Sequence, residues 1–172
     1  MKVFNTLVSA GDLAHHLHDA RWRVFDCSFD LVHPHAGELA YREVHIPGAI
    51  YAHLERDLSG PLTGKNGRHP LPDPARFAAK LGEWGVGNDT QVVVYDDAGG
   101  TYAVRMWWML RWLGHDAVAL LDGGINAWEA AGYETSDAET KHPHAVFVPR
   151  LRPEMAVDVR YVESQSARDA VR

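Results

Sequence analysis

The stretch VVVYDDAGGTYAVR, Val92 to Arg105, decides the fold. Its valines and tyrosine are apolar throughout, as a strand covered on both sheet faces should be. Two aspartates and two glycines follow, and then TYAVRMWWMLRWLG reads as a helix ending at Gly114. Glycines let the backbone turn sharply and leave its N–H groups accessible. The following helix aims its positive end at the loop. Together these features make an anion site or a nest for a reactive group. Asp96, Asp97, Gly99, Gly100 and Arg105 are the candidate loop residues, and two ionised aspartates would occupy or oppose such a site. Arg105 lies where the helix dipole disfavours a cation, so it is expected to pair with Asp96, Asp97 or a bound anion. The plainer alternative is an aspartate cap closed by an Arg105 salt bridge, with nothing reacting.

Outward from this unit, strands and helices alternate. LVSAGDLAHHLH offers Ser9 as an N-cap, with Leu13 and Leu17 on one helix face. RVFDCS, Arg23 to Ser28, reads as a strand, and Ala49 to Tyr51 as a second one after a Pro-Gly turn. Residues Glu55 to Pro74 form a long Gly- and Pro-containing surface loop, with Lys65, Arg68 and His69 as a rim that is solvated by default. Pro74 starts the helix PARFAAKLGEWG, which Gly85 terminates. AVALLD is another buried strand, and GGINAWEAAG a short helix. Trp107, Trp108 and Trp112 sit on an almost wholly apolar helix and belong to the core rather than to a base-stacking platform. The series implies an α/β fold with a mainly parallel sheet and helices on both faces. Ligands in such sheets bind at the carboxyl ends of the strands, where the Asp96–Gly100 loop lies.

A chain of 172 residues suits one domain with an added tail. The net charge of −6 disfavours a grip on nucleic-acid phosphates. The N-terminus lacks a signal-peptide core, and no apolar run is long enough to span a membrane, so a cytoplasmic protein is expected. A single cysteine, Cys27, excludes an internal disulfide framework. After Gly132 the chain turns polar and reads as a linker. VDVRYVESQSARDAVR then reads as one amphipathic helix with Val157, Val159 and Val162 apolar and little to pack against.

The segments VSAGDLAHHL, RVFDCSFDL, YREVHIPGA, HPLPDPARFAAKLGEWGVGNDTQVVVYD and YAVRMWWMLRWLGHDAVALLDGGINAWEAAG, in this order, resemble the rhodanese (sulfurtransferase) family. More narrowly, they are similar to the N-terminal domain of its two-domain members, the thiosulfate and 3-mercaptopyruvate sulfurtransferases. The resemblance implies a parallel five-stranded sheet flanked by helices on both faces. It also implies a loop after the central strand that, in catalytic domains, begins with a cysteine taking sulfur as a persulfide. The matching position here is Asp96, and a carboxylate forms no stable persulfide. The expected organisation is a non-catalytic rhodanese-like domain over 1–148, and a linker with the first helix of a missing second domain over 149–172. That C-terminal catalytic domain is the implied partner, and small sulfur-containing anions are the ligands of the full enzyme. No cofactor is implied. The alternative is a standalone, catalytically inactive rhodanese-like binding module.

Other residues carry weaker signals. Cys27 ends a strand, but Asp26 and Asp30 beside it would raise its pKa, so an inert thiol is expected. His45 of HIPGA is a possible cleft residue by resemblance; read plainly, it is a histidine that fixes a turn. The histidines at 15–16, 33 and 35, and 142 and 144 lack the carboxylate or cysteine that would complete a metal set.

Overall fold

The computed structural model describes residues 3–169. In chain order the elements are β1 (Leu7–Val8), α1 (Ala10–His16), β2 (Trp22–Asp26), α2 (Ala36–Glu43), β3 (Ile50–Tyr51), α3 (Pro74–Glu83), β4 (Gln91–Tyr95), α4 (Ala103–Trp112), β5 (Val118–Leu121), α5 (Gly124–Ala130) and, after a 3-10 turn at Pro153–Met155, α6 (Val159–Asp169). The five strands form one sheet in the order β1-β5-β4-β2-β3, and every pairing is parallel.

Alternation along β4 builds two cores. Val92 and Val94 share one with Phe77 and Leu81 of α3 and Met106, Met109 and Leu110 of α4. Val93 and Tyr95 share the other with Leu13 of α1, Tyr41 of α2 and Trp128 of α5. Each such apolar side chain contributes about 1.5–3 kcal/mol over leaving it in water. All five β4 residues are buried, which is why the run lacks the in-out alternation of a half-exposed strand. The five-stranded α/β fold expected from the resemblance is the one observed.

Local signals act as read at several ends. Ser9 accepts the Asp12 N–H at 3.0 Å. Pro74 opens α3, and Asp73 ahead of it, which the sequence reading did not single out, accepts the Arg76 N–H at 2.9 Å. Gly85 and Gly114 follow their helices with φ of +73° and +80°. The two-residue β1 and the helix α2 carry no such signals. The His35 side chain makes no cap bond, and Gly37 breaks the apolar pattern of α2 because a Cβ there would run into the Ser28 carbonyl.

The polar stretch after α5 is bound to the domain rather than free. Phe147 enters the α3–α4 core. The Ala145 N–H bonds Gly82 O at 3.0 Å, and the Arg150 and Arg152 N–H groups bond Leu113 O and Trp112 O at 2.8 Å each. Asn88 bonds both backbone groups of Val148, and the Arg152 guanidinium grips Asp116 at 2.7 and 2.6 Å. Docking thus continues past residue 148, where the linker was expected to begin. Only α6 stands clear: every residue from Ala156 to Ser164 is exposed. Val159 and Val162 lie in α6, Val157 precedes it, and residues 170–172 of the expected helix lie outside the described residues.

Candidate functional site

The loop after β4 is closed by its own first residue. Asp96 is fully buried. Its Oδ1 accepts the N–H groups of Ala98 at 2.9 Å and Gly100 at 2.7 Å, and its Oδ2 those of Tyr102 at 2.7 Å and Ala103 at 2.9 Å. Such charge-assisted bonds are about twice as strong as neutral ones, and the α4 dipole adds to them. Gly99 and Gly100, with φ of +67° and +90°, turn the backbone so that its donors converge on the carboxylate. Four backbone donors thus converge on a carboxylate that is covalently part of the chain.

The LDGGINAW segment fastens this loop from the next crossover. Gly123 and Gly124 adopt φ of +76° and +60°, and a Cβ on Gly124 would collide with the Asp96 carbonyl. The Ile125 N–H reaches that carbonyl at 3.3 Å, and Asn126 Nδ2 donates to Asp97 O at 3.2 Å. Asn126 was not among the expected site residues, and its motif entered only as part of the family resemblance.

Beside the loop lies a crevice of about 510 Å3 lined by Phe29, Asp30, Leu31, Val32, Asp97 and Tyr102, among others. Phe29 meets Tyr102 and His53 edge to face at 5.8 and 5.2 Å. Neither Phe29 nor Tyr102 carried a sequence signal of its own. A groove of about 610 Å3 along β3 lies at a different edge, and its Glu38 is already paired with Arg42 at 3.0 Å and Arg56 at 3.2 Å.

Arg105 departs from expectation. Its Nε donates to Leu58 O at 2.9 Å and its Nη2 to His69 O and Pro70 O at 3.0 and 3.1 Å. It pairs with neither aspartate: four N–H groups already satisfy Asp96, and the guanidinium is turned to backbone carbonyls. It instead serves the carbonyls of the long 52–73 loop, which has no strand partner. In that loop Arg68 donates to Leu31 O at 2.7 Å and His69 packs against Phe29, whereas Lys65 is exposed and lines none of these hollows.

Cys27 is buried, with its sulfur 3.9 Å from Met106 Sδ. Burial, then the charges of Asp26, Asp96 and Asp57, push its thiol well above the ordinary value, so the nucleophilic thiolate is disfavoured. Burial likewise raises Asp26, which accepts the Ser28 N–H at 2.8 Å.

His45 does not face the crevice. It is fully buried, stacks on Tyr41 at 4.0 Å and has its ring nitrogens against the carbonyls of Tyr41 and Ala138. Its main chain pairs in both directions with Ser136. The expected cleft role gives way to an interior fastening. Of the remaining histidines, His16 stacks on Trp22 at 4.3 Å, and among the described residues no three His, Cys, Asp or Glu side chains cluster as a metal site. No described helix is long and apolar enough to cross a membrane.

The model of the Rhodanese-like domain matches residues 9–131. The chain is 46% identical over 161 residues to the probable 3-mercaptopyruvate sulfurtransferase of Pseudomonas aeruginosa, covering 92% of this chain and 57% of that protein. It is 40% identical over 134 residues to thiosulfate/3-mercaptopyruvate sulfurtransferase 2 of Arabidopsis thaliana, covering 77% and 38%. Among solved structures, SseA from Escherichia coli, described as a 3-mercaptopyruvate sulfotransferase with the "Rhodanese" fold, superposes with a TM-score of 0.83 at 30% identity, over 96% of this chain and 63% of that one. The chain spans about half the length of the curated relatives it matches.

Proposed function

Because the chain belongs to the rhodanese-like domain family, we propose that it is the N-terminal, non-catalytic half of a two-domain sulfurtransferase acting on thiosulfate or 3-mercaptopyruvate. Its role is to form one wall of the active-site cleft and to buttress a C-terminal catalytic domain that supplies the persulfide-forming cysteine. The observation that carries this reading is the Asp96 carboxylate bound by four backbone N–H groups. Sulfur transfer through a persulfide needs an accessible, low-pKa thiolate in such a cradle. Here the cradle is filled, and the Cys27 thiol is buried among carboxylates that oppose its ionisation.

The surface after α5 also supports a half-enzyme over an autonomous binding module. Val146, Val148, Leu151, Val157, Val159, Tyr161 and Val162 are all exposed. A run of apolar side chains this long suits contact with another folded unit. Turnover assays on this chain, with thiosulfate and cyanide and with 3-mercaptopyruvate and a thiol, are expected to stay at the uncatalysed rate. A persulfide detected by intact mass on any residue overturns the reading.

A further inference from the structure

The strand-end crevice carries charge that its own loop leaves unneutralised. Asp97, next to the satisfied Asp96, is exposed on the rim, and its carboxylate has no hydrogen-bond or ion-pair partner among the described residues. Asp30 lines the same crevice; the N–H groups of His33 and Val32 hold its carboxyl below the ordinary value. Among the described residues its one ion partner is His33 at 3.5 Å. Deeper in, Asp26 and Asp96 add negative charge felt at Cys27, and Asp97 is felt at Asp26. The nearby Arg68 guanidinium is bound to the Leu31 carbonyl.

Between these carboxylates the walls are apolar. Phe29 and Tyr102 meet edge to face, and Leu31 and Val32 are exposed beside them. A hollow of about 510 Å3 with aromatic walls and two rim carboxylates fits a cation on an apolar stem. We propose that this crevice is the docking site for an arginine side chain of the partner domain, its guanidinium set against Asp97 and Asp30 and its stem lying along Phe29 and Tyr102. Arginine suits the site better than lysine because its planar guanidinium stacks on rings and pairs with carboxylates at once. The proposal deepens the half-enzyme reading and rests on it.

The test is an NMR titration of the 15N-labelled chain with N-acetyl-arginine amide, and with the citrulline analogue as its uncharged counterpart. The arginine probe is expected to shift the amides of Phe29, Ala98 and Tyr102, and to bind more weakly as salt is raised. Asp97→Asn, at an exposed position that leaves folding intact, is expected to weaken binding about five-fold, equivalent to ~1 kcal/mol. Equal binding of citrulline, shifts confined to other surfaces, or an unchanged affinity in Asp97→Asn overturns the proposal. None of these results touches the half-enzyme reading. Sulfur transfer by the chain alone would sink that reading and leave the titration unaffected.

Discussion

The backbone carbonyl of Asp96 occupies the space that a Cβ at Gly124 would need. Two loops at the ends of neighbouring strands are thereby keyed together, with the Ile125 N–H on the same carbonyl at 3.3 Å. Gly124→Ala is expected to lower the unfolding free energy by about 2–3 kcal/mol, combining a steric clash with a disfavoured positive φ. Urea unfolding measures this, and a loss below about 0.5 kcal/mol would show that the two loops are not coupled in this way.

Asp96→Cys places a thiol where four N–H donors and the α4 dipole converge. The new thiol is expected to ionise below the free-cysteine value of about 8.5 and to alkylate quickly with iodoacetamide. Native Cys27 in the same chain is expected to react only on unfolding, since burial raises its thiol well above the ordinary range. An ordinary thiol pKa at position 96 would mean that the cradle depends on the carboxylate for its shape.

Arg105→Met removes three bonds to the carbonyls of Leu58, His69 and Pro70. These carbonyls have few other donors, so the loop around them is expected to open locally. Limited proteolysis between residues 59 and 70 should accelerate several-fold, with global stability falling by about 2 kcal/mol. Unchanged cleavage would assign the arginine no anchoring role.

Stability should decline below neutrality because of buried imidazoles. Burial holds His115, His53 and His142 below their ordinary value. The unfolded chain therefore binds protons that the folded chain refuses. Their contribution is complete above the unfolded pKa of about 6.5 and is lost as pH falls toward the lower folded values, by up to ~1.4 kcal/mol per pH unit for His115, with His53 and His142, closer to solvent and more screened, adding less. Melting temperatures from pH 7.5 to 5 read this slope, and His115→Gln is expected to flatten it.

Much of this architecture was legible in the sequence because it rests on local chemistry. The apolar run of β4 and the double glycines after Asp96 declare strand and loop, while Ser9 and Pro74 mark helix starts. What escaped rests on the main chain of distant residues. Arg105 was expected to pair with Asp96 or Asp97, nine and eight positions away, or with a bound anion, but its partners are carbonyls on a loop whose side chains give no hint of them. His45 binds the Ala138 carbonyl 93 positions later, an acceptor every residue type possesses. The docked segment beyond α5 hid for the same reason, since backbone bonds hold much of it and few side chains, Phe147, Met155, His142 and Arg152 among them, join in.

Tight seating as far as Arg152 also limits how far α6 can wander. Between that anchor and Val159 lie only residues 153–158, a leash of at most about 25 Å when fully stretched. Anything borne on α6 is confined to a small volume around the sheet, where its encounters with the domain surface behave as at millimolar concentration. A mutation that frees Arg152 from Asp116 would lengthen that leash and dilute those encounters without altering a single residue on either meeting face.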